Sequence, residues 1–269
     1  MNRAILFPLP AFALCFIMLL SSEVKGETST PTTLLGTWQV CGVRLDTTLL
    51  RTPNYGYDDV RLTGRLVTIA SEEITTDMPE SSSCQAPKAE KALTTMDELI
   101  EESMGRPKGR KVTKESDRFE LPVEGGRDLQ VWWIRCEKGD IGPDTPFGPE
   151  GANWVAALSK DRLAMRWYDN VILLLTRVRD KEPHPSFPCV RAKSAAEKAI
   201  CSSFSLSSFD ESVARAFAAA AARLSAVKGN STLQAEQKAW ISRRDRCGSD
   251  EECLKKTMQD RLEQLHSVE

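Results

Sequence analysis

The chain has 269 residues, with 36 Lys and Arg against 38 Asp and Glu and a formal net charge of −2. That near balance lacks the basic bias of nucleic-acid-binding proteins, and the composition is that of an ordinary globular chain long enough for two domains. Two histidines, His184 and His266, and the absence of any Cys-x-x-Cys pair exclude the usual zinc-ligand spacings.

Residues 1–26 read as a leader. Arg3 supplies a positive start, Ala4 to Leu20 is apolar but broken by Pro8 and Pro10, and Val24-Lys25-Gly26 suits signal peptidase. The run is too short and broken for a spanning helix, so cleavage after Gly26 and a periplasmic or secreted location are expected. Acylation at Cys15 is the alternative, but Leu14 stands where a small residue belongs. Residues 27–186 carry −5 and residues 187–269 carry +2.

From about 33 to 180 the pattern is that of antiparallel strands. Leu35 to Leu45, Leu66 to Ile69, Ile74 to Thr76, Leu129 to Arg135, Trp154 to Leu158, Arg162 to Trp167 and Val171 to Val178 are rich in β-branched and aromatic residues. Tyr168-Asp169-Asn170 joins the last two as a hairpin. One helix is expected, opened by the capping box Thr95-Met96-Asp97-Glu98. Residues 106–118 and 139–151 read as long loops. Trp38, Trp132, Trp133, Trp154 and Trp167 would either line an apolar pocket or fill a core.

Arg179 to Ser186 reads as a connector, and 187–266 as a helical domain. Ser194 with Glu197, Ser208 with Glu211, Ser249 with Glu252, and Ser231 with Gln234 fit capping boxes, and Gly229 and Gly248 fit helix stops. Phe209, Val213, Phe217, Ala220, Leu224 and Val227 form one apolar stripe; Leu254, Met258, Leu262 and Leu265 form another; Leu233, Trp240 and Ile241 supply a third helix. Arg243, Arg244 and Arg246 read as a solvated face.

Without Cys15, seven of the eight cysteines remain, an odd number. An exported chain of this kind reads as a disulfide framework. Local spacing favours Cys189–Cys201 and Cys247–Cys253. In the strand-rich part, Cys84–Cys136 would anchor a Ser-rich excursion and leave Cys41 reduced and shielded; Cys41–Cys136 competes if their strands are adjacent.

Cys189, Cys201, Cys247 and Cys253, with Glu197, Ile200, Glu236, Gln237 and Trp240, resemble the LprI-like domain, a bacterial exported family named after a lysozyme inhibitor. The resemblance covers about 186–266 and agrees with local pairing of the cysteines. Gly36-x-Trp38 on a first strand, with Arg177 late on the last, is similar to the lipocalin and calycin signature. That likeness implies an antiparallel barrel in which Arg177 packs over Trp38; Trp38 as a plain core aromatic is the other reading. The fold expected is therefore α+β: a calycin-like barrel followed by a disulfide-stapled four-helix domain.

No nucleophile elbow or Gly-rich phosphate loop is present, and a Ser-His-Asp triad would have to use His184 or His266. Neither an enzyme nor a cofactor is expected. The LprI resemblance implies an exported binding protein that contacts lysozyme or another cell-wall-active protein. The barrel likeness implies, as the alternative, a carrier of a small apolar ligand.

Overall fold

The computed structural model describes residues 30–48, 52–80, 83–104, 114–142, 153–225 and 230–268. The expected leader, with Cys15 and the cleavage position Gly26, lies outside these, as do Val227, Gly229 and the side chain of Ser231.

Ten strands form one antiparallel sheet: β1 (Gly36–Arg44), β2 (Leu66–Ile69), β3 (Glu73–Thr76), β4 (Ser83–Gln85), β5 (Lys88–Thr95), β6 (Asp128–Arg135), β7 (Lys138–Gly139), β8 (Asn153–Ser159), β9 (Arg162–Trp167) and β10 (Val171–Arg177). Their order is β5-β6-β8-β9-β10-β1-β2-β3-β4-β7, so the first strand pairs with the last. The result is an antiparallel half-barrel. The hydrogen-bonded order runs from β5 to β7, and the closed barrel that was expected is not shown. The β5–β6 and β4–β7 ladders share one register and are interrupted at Ala86, which takes a left-handed conformation (φ 46°), and at Pro87, which has no amide to donate. The Cys84–Cys136 disulfide and the Glu137 N–H donating to Gln85 O (3.0 Å) tie the two strands together at that interruption.

Both faces of the central strands are covered. Trp38, Val40, Val43, Val67, Ile74, Leu163, Met165, Trp167, Leu173 and Leu175 pack in the inner cluster. Trp154, Trp133, Val131, Ala164, Ile172 and Leu174 pack on the opposite side with Met96, Leu99 and Ile100 of α1 (Met96–Met104). This double burial accounts for the unbroken apolar run Val171 to Leu175. Trp38, Trp154 and Trp167 are all fully buried, so they belong to filled cores and do not line a cavity. The capping box of α1 forms, with the Thr95 N–H donating to Glu98 (3.2 Å) and the Glu98 N–H to Thr95 Oγ1 (3.2 Å).

Three sequence expectations in this part need correction. Cys41 is free, as expected, but exposed: the register slips between Val40 and Gly42, and this bulge puts Val40 and Val43 both inward and Cys41 outward. The strand β5 was unforeseen because its sequence, KAEKALTT, is that of a charged edge strand, with Leu93 exposed. Of the loop expected over 106–118, residues 106–113 lie outside the described ones; the rest enters a 3-10 turn at Ser116–Phe119, where Phe119 is buried and Arg118 pairs with Asp46 and Glu115.

Helices α2 (Ala195–Ser202), α3 (Phe204–Ser225), α4 (Asn230–Asp245) and α5 (Glu251–His266) follow, around a separate apolar cluster. Cys189–Cys201 and Cys247–Cys253 tie the approach to α2 and the α4–α5 corner.

Candidate functional site

The residues that carry the LprI resemblance are brought together by the helices, but chiefly as parts of the scaffold. Glu197 closes the capping box of α2: its carboxylate accepts from the Lys193 N–H (2.6 Å) and the Ser194 N–H (3.0 Å), while its own N–H donates to Ser194 Oγ (3.1 Å). Those backbone donors hold the Glu197 carboxyl below the ordinary glutamate range. Ile200 is fully buried in the helical core. Trp240 is buried too, and its indole N–H donates to Thr257 O on α5 (3.1 Å). Gln237 accepts from Arg261 Nε (3.0 Å), and Glu236 stands 4.0 Å from the same guanidinium. Of the five, Glu236 faces solvent most openly, its side chain being 56% exposed.

Helix periodicity explains where the sequence reading slipped. Leu233, Gln237, Trp240 and Arg244 share the inward stripe of α4, so Ile241 is turned outward. Arg244, expected on a solvated face, is buried and pairs with Asp210 on α3 (3.3 Å) and Asp245 (2.8 Å). Asp210 also accepts from the Ser186 N–H (2.8 Å), which anchors the connector. At α5 the N-cap is Asp250, not Ser249; its side chain accepts from the Cys253 N–H.

Ser208 does not start a helix, because α3 begins four residues earlier. Its hydroxyl instead donates to Gly64 O on the sheet side (2.7 Å) and accepts from Gln39 (3.1 Å). One turn on, Ser212 donates to Thr63 O (3.1 Å). Between them lies Arg65, wholly buried, with its guanidinium 3.3 Å from the Phe209 ring centroid and one N–H on Ser212 Oγ. Burial pushes this guanidinium down to about 10. Arg61 reaches α5 at Glu263 (3.0 Å), and Ser205 donates to Asp77 (2.9 Å). The helices thus rest on the β1–β2 and β3–β4 connections through hydrogen bonds that no hydropathy pattern encodes.

At the far end of the sheet, Arg177 lies over Trp38, 4.0 Å from guanidinium carbon to ring centroid. Beside it opens a pocket of about 590 Å³, whose apolar floor includes Leu34, Trp132, Ala157 and Leu163 and whose rim carries Lys160, Asp161 and Arg179. A smaller pocket of about 310 Å³ lies between α4 and α5, lined by Glu236, Ala239, Arg243, Arg261 and Gln264. No helix among the described residues is long and apolar enough to cross a membrane.

The architecture is a disulfide-pinned helical module seated on an antiparallel half-barrel. Residues 189–265 match the family model described as Lysozyme inhibitor LprI. The match coincides with the four helices and both of their disulfides, and it leaves the sheet outside. No curated protein and no solved structure matches the chain.

Proposed function

We propose that this protein is exported, with its leader removed after Gly26, and acts in the periplasm or outside the cell as a non-enzymatic, lysozyme-inhibitor-like binding protein. The observation that carries this reading is the match of the helical region to the LprI model. We take 33–180 and 187–266 as its two domains, the helical one making the contact. Glu197, Ile200, Gln237 and Trp240 hold that domain together, so recognition falls to side chains that face outward. Val190, 95% exposed, and Ile241 are apolar candidates on this region, and Arg243 and Arg246 are exposed cations of the same region. Residues 27–186, at −5, would steer encounter with a basic lysozyme.

The test is the rate of peptidoglycan hydrolysis by lysozymes of several classes, with and without the purified chain. Slowing of at least one, weakened by added salt, supports the reading. No slowing of any of them at low ionic strength removes it.

A second reading, a carrier of a small apolar ligand, has one observation in its favour: the pocket floored by Leu34, Trp132 and Leu163. The sheet interior itself is filled by Trp38, Trp167 and their neighbours, so such a ligand would sit at the end of the sheet and not within it. Binding of a fluorescent apolar probe by the natural chain, weakened by Trp132→Ala or Leu163→Asp, tests this reading.

A further inference from the structure

Buried arginines in this molecule are compensated in recognisable ways. Arg118 holds Asp46 and Glu115, Arg244 holds Asp210 and Asp245, and Arg61 holds Asp59 and Glu263. Arg65 hydrogen-bonds no carboxylate, and its Nε and Nη1 are buried without a hydrogen-bond partner, but it lies on the face of Phe209.

Arg261 follows neither pattern. It is 3% exposed, and its guanidinium donates to two neutral amides, Gln237 Oε1 (3.0 Å) and Gln264 Oε1 (3.1 Å). Its Nη2 is buried and has no hydrogen-bond partner. The carboxylate of Glu236 stands 4.0 Å from Nη1, beyond hydrogen-bond reach, and more than half of that side chain is in solvent. Burial pushes the guanidinium down; the Glu236 charge opposes this and the neighbouring Arg243 adds to it. An interior cation with an unmet donor and a second cation beside it is costly unless an anion completes it.

That anion has a place to sit. The 310 Å³ pocket between α4 and α5 is lined by Arg261, Arg243 and Gln264, with Ala239 as its low wall and Glu236 at its edge. We propose that this pocket is a carboxylate-binding socket. A carboxylate entering over Ala239 displaces the exposed Glu236 side chain toward solvent, uncovers the solvent-closed Nη2 of Arg261, and takes it together with the guanidinium of Arg243. A guanidinium edge matches the two oxygens of a carboxylate. Glu236 remains nearby, and its charge disfavours a dianion such as phosphate more than a monoanion. The volume suits a small acid or one acidic group of a larger molecule. The socket gives Glu236 and Gln237 a role beyond packing, as gate and as holder of the arginine, and it does not depend on the inhibitor reading.

The experiment is NMR of the arginine Nε–H signals in the full chain, titrated with sodium acetate while sodium chloride keeps ionic strength constant. A saturable shift of the Arg261 signal is expected, with a dissociation constant of roughly millimolar order. Arg243→Gln should weaken it and Glu236→Gln strengthen it, each by about threefold or more. Ala239→Leu, which fills the pocket without changing charge, should abolish it. An Arg261 signal that acetate leaves unmoved, or that chloride moves equally, overturns the proposal. Tighter binding of inorganic phosphate than of acetate overturns its assignment to carboxylates. If Glu236→Gln lowers stability and leaves acetate binding unchanged, Glu236 is simply the counter-ion of Arg261 and its role as gate is overturned.

Discussion

The guanidinium of Arg177 lies over the indole of Trp38, and the two are bound to the same stretch of chain: Arg177 donates to Thr33 O (2.6 Å) and Leu35 O (2.8 Å), while the Trp38 N–H donates to Leu34 O (2.8 Å). One ion–ring contact and three hydrogen bonds thereby fasten the segment before β1 across the end of the sheet. Arg177→Ala is expected to cost about 2–3 kcal/mol, from a partly buried cation–π contact and the lost hydrogen bonds. Arg177→Lys should recover little, because an ammonium lacks the planar fork. Urea denaturation of the three proteins measures both.

Cys41 is free and exposed on the bulge of β1, with Arg162 Nη2 3.7 Å from its sulfur. In a chain that begins at Glu27, one thiol should react with a soluble alkylating agent without denaturant, and peptide mapping should place the label on Cys41. The six bonded cysteines should label only after reduction. A native protein that takes up no label would show that the bulge closes over Cys41 in solution.

Acid sensitivity follows from Asp59. Burial alone would raise its pKa, yet hydrogen bonds from the Arg61 side chain and from the Gly56 and Arg61 N–H groups hold it below the ordinary 3.8. A carboxyl with a depressed folded value contributes stability that is present above its unfolded pKa and lost as pH falls through the folded one. Its contribution should be complete above about pH 5 and fade below the unfolded value of about 3.9. The stability gap between the natural chain and Asp59→Asn should therefore narrow from pH 5 to pH 3; a constant gap would mean that Asp59 is not held in this way.

The seating of the helices on the sheet passes through Gly64. Its φ is +85°, and a Cβ there would stand 2.8 Å from Ser208 Oγ and 3.1 Å from Ser212 Oγ. Gly64→Ala should cost about 1–2 kcal/mol for the backbone conformation alone, and more because it pushes both hydroxyls off their acceptors. Gly126→Ala, where the added methyl meets nothing within 4 Å, is the control. A double-mutant cycle with Ser208→Ala should show coupling between 64 and 208, and its absence would mean that the docking does not rest on this contact.

Periodic and local features of the chain were legible from the start. The stripes Phe209-Val213-Ala220 and Leu254-Met258-Leu262-Leu265 point inward, and the Thr95 and Ser194 capping boxes form, because each depends on residues three or four apart on one helix. The hairpin at Tyr168–Asn170 is equally local, with Val171 paired to Trp167. Tertiary structure decided what depends on neighbours distant in sequence. The bulge that exposes Cys41 arises from how β1 meets β10, more than 120 residues away. The interruption between β4 and β5 coincides with a left-handed Ala86 that composition does not announce. Arg244, Arg65 and Arg261 look like surface arginines as sequence, and only packing shows that Asp210, the Phe209 ring and a pair of glutamines hold them inside. A charged residue has no hydropathy signature for burial, since what permits it is a partner brought from another element.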